Sequence, residues 1–122
     1  MDLNIVVMGG RLAAAPEVRI LHGGATLVRY LVTIRSETPR RRIDVVPVVL
    51  WDADEKAAAL ERGDGVWVTG SVQRRFWSDD QNRRSRIEVV AHHIQKREDD
   101  EADGADDPRS EPLLMVEQSM QV

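Results

Sequence analysis

The sequence predicts an all-β fold, a small barrel of five main strands with one short helix between the third and the fourth. Runs rich in β-branched residues recur along the first 94 residues, separated by glycine, proline or polar turns. Only residues 52–62 have the composition of a helix. Five strands and one helix in about 95 residues suit a closed or nearly closed barrel, because closure removes exposed strand edges.

The first half of the chain supplies the first three main strands. The first covers residues 4–8 and continues beyond a glycine pair, and a short extended run follows at residues 17–21. The second main strand covers residues 26–35, whose imperfect alternation indicates a curved strand partly buried on both faces. The third covers residues 43–51, where Pro47 indicates a sheet edge or a bulge because proline donates no ladder hydrogen bond.

The helix is predicted over residues 52–62. Asp52 or Asp54 can cap it, alanines fill its middle, and the pair Arg62-Gly63 ends it after two to three turns. The fourth and fifth strands follow at residues 65–75 and 84–94.

The last two strands form a hairpin whose polar loop is predicted over residues 78–83. Three of the five aromatic residues fall between Trp67 and Trp77 in this region. Val66, Val68 and Val72 are expected to build the barrel, and Trp67 to pack in the core or at a subunit interface.

The charge divides the chain into two parts. Residues 1–97 carry 16 basic and 12 acidic residues, whereas residues 98–122 carry one arginine and 9 acids. We therefore expect a mildly basic folded domain over residues 1–97 and a disordered acidic tail over residues 98–122. The chain has no cysteine and no apolar run of membrane-spanning length, so a soluble cytoplasmic protein is expected.

Two arginines and two aromatics close the fourth strand, at Arg74, Arg75, Phe76 and Trp77. Exposed rings stack on bases of any sequence, and guanidinium groups pair with phosphates. This combination favours a single-stranded nucleic-acid binder. The adjacent pair His92-His93 is a poor metal site because neighbouring strand residues face opposite ways. We expect no cofactor, no metal and no enzymatic activity.

The five-stranded Greek-key barrel of the oligonucleotide/oligosaccharide-binding (OB) fold has its helix at the predicted position. The residues also resemble a family. The opening IVVMGGRLAAAPEVR, then LVRYLVTIRSE, VVPVVLW, VWVTGSVQRRFW and RIEVV are together similar to bacterial single-stranded DNA-binding proteins. The resemblance covers roughly residues 4–94.

That resemblance implies single-stranded DNA wrapped around OB domains, usually in a homotetramer. It implies stacking by Trp51 and Trp77, with Arg74 and Arg75 beside them. The chain departs from the family at Val45, where an aromatic is typical, and in the loop after the second strand, which lacks one. Its acidic tail also ends Ser-Met-Gln-Val, not in the family's usual tip, so the docking of replication or repair proteins on that tip does not carry over.

The sequence thus predicts sequence-independent binding of single-stranded DNA in replication, recombination or repair, by a homo-oligomer (tetramer or dimer) in the cytoplasm, associated with the nucleoid. The alternative is an OB-fold interaction or assembly module, or a primosomal accessory protein, with weak or lost DNA binding. Replication and repair proteins are candidate partners. The candidate nucleic-acid-binding residues are Trp51, Trp77, Arg74, Arg75, Phe76, Arg35, Arg40, Arg41, Arg42, Arg83 and Arg84.

Overall fold

The computed structural model describes residues 1–98, so the predicted acidic tail lies outside the described residues except for its first residue. Within residues 1–98 no helix has both the length and the apolar character of a membrane span. The elements, in chain order, are β1 (Val6–Leu12), β2 (Glu17–Ile20), β3 (Thr26–Ser36), β4 (Arg42–Trp51), α1 (Glu55–Ala58), β5 (Gly65–Asp79) and β6 (Asn82–Lys96).

The strands form one closed sheet. Its order is β1-β5-β6-β4-β3, and β3 pairs back to β1, where Leu12 lies opposite Val32. This ring confirms the predicted five-stranded OB barrel. Because β4 pairs along the length of β3, the short strand β2 must share the other edge of β3 with β1. The single helix lies between β4 and β5, as predicted.

The core is built from alternate residues of the strands. On β3, Val28, Tyr30 and Val32 are at most 2% exposed, and they face the interior. Leu27 and Thr33, on the opposite face of β3, are also buried, so the predicted burial of this strand on both faces is confirmed. Burial of each large aliphatic side chain contributes about 1.5–3 kcal/mol. The remaining fully buried positions include Leu12, Val48, Val66 and Val68.

The helix is much shorter than predicted. It covers only Glu55–Ala58, and Asp54 is its N-cap, accepting a hydrogen bond of 2.8 Å from the Ala57 backbone. The predicted extension to Arg62 is wrong, because Gly63 and Asp64, which come directly after it, are hydrogen-bonded to β1 of the barrel. Leu12 receives a hydrogen bond from the Gly63 amide and donates one to the Asp64 carbonyl. A one-turn helix has little stability of its own, so these tertiary bonds decide where it ends.

The β5–β6 hairpin is longer than predicted. Its strands continue through Asp79 and resume at Asn82, so the predicted polar loop over residues 78–83 is wrong. The turn consists of Asp80 and Gln81, both with positive φ (44° and 72°). This is the backbone of a type I′ turn, which matches the twist of the strands it joins.

The parallel contact between β6 and β4 is short. It joins only Val48 to Val89 and Val49 to Val90, and Pro47 lies just outside it. This agrees with the prediction that Pro47 marks an edge. It also means that the part of the hairpin between Val72 and Val89, which contains the turn, extends away from the barrel.

Candidate nucleic-acid interface

The outer face of β3 and β4 carries Trp51. The register places Trp51 opposite Leu27 and Val49 opposite Arg29, so these residues share one face of the sheet. Val28 and Tyr30, which alternate with them, face the core. Trp51 is 48% exposed at the end of β4. Its ring is therefore available to a ligand on the outside of the barrel.

Trp77 lies on one face of the projecting hairpin. The Arg75 guanidinium carbon is 5.0 Å from the centroid of the Trp77 ring, a cation–π contact. Across the hairpin, Trp77 lies opposite Arg84, and Arg75 lies opposite Arg86. Directly opposite residues share a face, so one exposed ring shares its face of the hairpin with three arginines. We name this set, Arg75, Trp77, Arg84 and Arg86, the Trp77 face.

Phe76 lies on the reverse face of the hairpin, because neighbouring residues of a strand point to opposite sides. It is 55% exposed, and the Arg83 guanidinium lies 5.1 Å from its ring centroid. Arg74 shares this reverse face, where its Nη1 donates to the Ser85 hydroxyl at 2.9 Å. The predicted run from Arg74 to Trp77 is thus divided between two surfaces.

One expectation about packing in this region is wrong, and a second is wrong in one of its two alternatives. Val72 was expected in the barrel but is 42% exposed, because it lies where the hairpin leaves the core. Trp67 was expected in the core or at an interface. Trp67 is 46% exposed, so it does not lie in the core of this chain. The Arg97 guanidinium carbon lies 4.5 Å from the centroid of its ring. The Trp67 ring covers Gly9, where an added Cβ would clash with the ring. Its place in a subunit interface stays a prediction.

A buried carboxylate lies on the same face as Trp77, at the end of the hairpin that joins the barrel. Glu88 is 4% exposed, and its two oxygens lie 3.7 Å from Nε of Arg75 and 3.7 Å from Nη2 of Arg86. Both ion pairs are longer than a hydrogen bond. Glu88 therefore holds two guanidinium groups near the ring without using up their hydrogen-bond donors.

The arginines between β3 and β4 form a separate exposed group. Arg35 and Arg41 approach Glu37 at 3.8 and 3.6 Å, and Arg42 contacts Asp44 at 2.8 Å. That hydrogen bond raises the pKa of Arg42. Such exposed pairs are weak and exchange readily for other anions. These residues and the exposed Arg40 form a basic rim at the far end of β3 from Trp51.

The sequence did not single out Arg29 or Glu88. Both lie in apolar strands, with Arg29 between Val28 and Tyr30 and Glu88 between Ile87 and Val89. A charged residue inside such a run was the one available indication. Among residues 1–98 no group of three or more His, Asp or Glu side chains is placed to hold a metal, and His93 contacts Gln95 at 3.0 Å.

Comparison with known proteins adds the family. The chain matches the single-strand binding protein family over residues 3–96. It belongs to that family. The match covers the barrel and both strands of the projecting hairpin, which are the parts that carry the candidate interface.

Relatives of this single-strand binding family member include three bacterial proteins. The single-stranded DNA-binding protein of Caldanaerobacter subterraneus is 32% identical over 99 residues, which cover 75% of this chain and 66% of the relative. The single-stranded DNA-binding protein 2 of Listeria innocua is 31% identical, covering 76% and 63%. That of Streptococcus pneumoniae is 29% identical, covering 79% and 66%. The chain thus spans just under two thirds of the length of these relatives.

Proposed function

We propose that this chain binds single-stranded DNA without sequence selectivity, by base stacking and phosphate contacts, in replication, recombination or repair. The observation that carries the proposal is the Trp77 face, on which an exposed indole and three arginines share one side of a hairpin that projects from an OB barrel. Family membership and the names of the relatives support it. The domain that binds is proposed to be residues 1–97, with residues 98–122 as an acidic tail.

Trp51 and the Trp77 face can serve one strand of DNA. An OB fold binds its ligand on the outer face of the strands equivalent to β3 and β4, bordered by the loop equivalent to the β5–β6 hairpin. Trp51 lies on that face and Trp77 lies on that hairpin. A strand stacked on both rings would pass the basic groups between them. The candidate arginines of the reverse face and of the basic rim would contact phosphates further along.

A homo-oligomer is part of the proposal. One edge of β1 pairs with β5, and the other pairs with β3 only at Arg11 and Leu12. Among residues 1–98 no strand pairs with this second edge over residues 6–10, so another chain could pair with it. Ile5 and Val7, at this edge, are 66% and 69% exposed. An open edge flanked by apolar side chains favours pairing with another chain. We propose a dimer or tetramer, located in the cytoplasm and associated with the nucleoid, with replication and repair proteins as partners.

The second candidate is an OB-fold interaction or assembly module with weak or lost DNA binding, such as a primosomal accessory protein. Val45 is the observation that favours it. The residue lies on the same outer face of β4 as Trp51, where the family typically has an aromatic. The stacking surface on β4 is therefore shorter than in a typical member.

The test is tryptophan fluorescence on addition of a dT oligomer at low salt, followed by titration with salt. We expect quenching that salt reverses. Trp77→Ala should weaken binding by about 5- to 150-fold, the cost of one lost base stack at 1–3 kcal/mol. The paired substitution of Arg74 and Arg75 by alanine should also weaken binding and reduce its dependence on salt.

Trp67→Phe is the matched control. Trp67 precedes Trp77 by ten residues on β5, about 33 Å along an extended strand, and should not stack on the same bases. If the folded native protein shows no quenching at low salt, the second candidate function replaces the first. If Trp77→Ala binds as the native protein does, the Trp77 face is not the interface.

A further inference from the structure

A concave pocket of about 240 Å³ lies on the outer side of β3 and β4, beside the Trp77 face. Arg29 of β3 and Arg86 of β6 line it, and Pro47 and Val49 form part of its apolar wall. Glu17, at the start of β2, lines it on the other side. The pocket therefore joins the outer face of the barrel to the base of the hairpin.

Arg29 is poorly satisfied in this pocket. Its Nε is buried and has no hydrogen-bond partner among residues 1–98. Burial foremost, and then the positive charges of Arg19, Arg75 and Arg86, lower the pKa of Arg29. A buried donor without an acceptor costs free energy, so an acceptor that enters the pocket would be favoured.

The charges around the pocket leave an excess of positive charge. Four arginines, at positions 19, 29, 75 and 86, interact with two carboxylates. The Glu17 carboxylate is occupied by Arg19, whose Nε lies 2.8 Å away, and this hydrogen bond foremost lowers the pKa of Glu17. Glu88 is shared between the two arginines of the hairpin. Two positive charges remain uncompensated by residues 1–98, and an anion is the ligand that balances them.

We propose that this pocket is a phosphate-binding site, in which Arg29 and Arg86 bind one phosphodiester of a single strand. The proposal rests on the proposed function and adds the position of one backbone contact. Guanidinium groups donate to phosphate oxygens in bidentate geometry. The Trp77 face continues from Arg86 through Arg75 to the ring. A phosphate held in the pocket thus places its strand beside the ring on which a neighbouring base stacks.

The first experiment measures the affinity of the full chain for a dT oligomer across salt concentrations. Each phosphate contact to a single strand contributes about 0.7 to the slope of log K against log salt. Because Arg29 and Arg86 share one phosphate, Arg29→Gln should lower the magnitude of the slope by up to about 0.7, so the loss of affinity between 50 and 200 mM salt shrinks by up to about 2.6-fold. Arg86→Gln should do the same. A slope equal to that of the native protein in both variants would overturn the proposal.

Arg62→Gln is the charge-matched control. Arg62 is exposed and precedes β5, whereas Trp77 lies near the far end of that strand. This control removes the same charge far from the pocket, and the slope should stay within 0.2 or so of the native value if contacts and not net charge set it. Equal losses in Arg62→Gln and Arg29→Gln would mean that only the overall charge matters.

The second experiment identifies the phosphate. Neutral methylphosphonate linkages are placed one at a time along the dT oligomer. We expect one linkage whose neutralisation weakens binding to the native protein but not to Arg29→Gln. If no linkage is coupled to Arg29 in this way, the pocket does not hold the strand. If inorganic phosphate, at constant ionic strength, displaces the strand from the native protein alone, the site prefers the free ion and the proposal is wrong.

The two proposals fail differently. If the native protein does not bind DNA, it shows no quenching, and both the proposed function and the pocket assignment are wrong. If quenching is normal and depends on Trp77, but both pocket variants keep the native slope, only the pocket assignment fails. Circular dichroism and the unfolding midpoint of each variant show whether a changed slope comes from a folded protein.

Discussion

Tyr30 offers a quantitative test of the barrel, because it is the only tyrosine of the chain and its chemistry can be followed alone. Its side chain is 2% exposed, and its hydroxyl donates to the Ala57 carbonyl at 2.8 Å. Burial foremost, together with the negative charge of Asp54, raises the pKa of Tyr30 to about 12. The perturbation is Tyr30→Phe, compared with the native protein across alkaline pH.

The expected magnitude has two parts. At neutral pH, Tyr30→Phe removes one buried hydrogen bond and leaves a carbonyl unpaired, which costs about 1–2 kcal/mol. With rising pH the unfolded native chain loses its phenol proton near pH 10, while the folded state keeps it until about pH 12. The stability that this group provides is therefore complete below pH 10 and is lost between pH 10 and 12. Two pKa units correspond to roughly 2–3 kcal/mol.

The assay is urea unfolding followed by circular dichroism, from neutral pH to pH 12, on both proteins. All other ionisable groups are the same in both proteins, so their effects cancel in the difference. We expect the native protein to have a larger free energy of unfolding than Tyr30→Phe at pH 7, and this difference to vanish or reverse as the pH approaches 12. Parallel curves over the whole range would refute the buried, hydrogen-bonded state of Tyr30.

Two further predictions concern stability, both measured by urea unfolding. Asp54→Ala should cost about 0.5–2 kcal/mol by removing the N-cap of α1, whereas Asp54→Asn keeps a capping oxygen and should lose much less; equal losses would mean that charge and not capping matters. Leu12→Ala should cost about 2–5 kcal/mol, since Leu12 is 0% exposed, whereas Ile20→Ala should cost little because Ile20 is 77% exposed. A small loss for Leu12→Ala would contradict the closure of the barrel at β1.

The strands could be predicted closely because burial imposes their pattern. The prediction of residues 26–35 compares with Thr26–Ser36, and that of residues 43–51 with Arg42–Trp51. Each β-branched run is long enough to fill one strand, and the turns between them contain glycine, proline or charge. Local residues carry this information, so a single sequence is sufficient for it.

The helix and the hairpin turn could not be predicted in the same way. The end of α1 depends on two backbone hydrogen bonds, one donated by Gly63 to Leu12 and one donated by Leu12 to Asp64, between residues about fifty positions apart in the chain. The turn at Asp80 and Gln81 adopts positive φ without glycine, because the length of the paired strands fixes it. Both features are set by tertiary structure, which local composition does not encode.

The division of the candidate site was partly predictable. Alternation along the strand already separates Phe76 from Trp77. It does not say where the hairpin leaves the barrel, and therefore Val72 was expected to be more buried than it is. The position of Arg29 shows the same limit. Alternation assigns it to the face opposite Tyr30, but the pocket there also requires Pro47 and Val49 of β4 and Arg86 of β6, which are distant in sequence.

Glu88 explains how several arginines can lie close together on this surface although like charges repel one another. Buried ion pairs are weak evidence for stability, because desolvation offsets most of the attraction. Without the carboxylate, however, Arg29, Arg75 and Arg86 would repel one another near a low-dielectric wall. Glu88 directly precedes Val89, which is buried in the core, so the position of Glu88 is fixed by the barrel and not by the hairpin. Its negative charge, held beside Arg75 and Arg86, reduces the repulsion between the arginines and orients Arg75 toward Trp77. The surface still keeps an excess of positive charge that can attract a phosphate backbone.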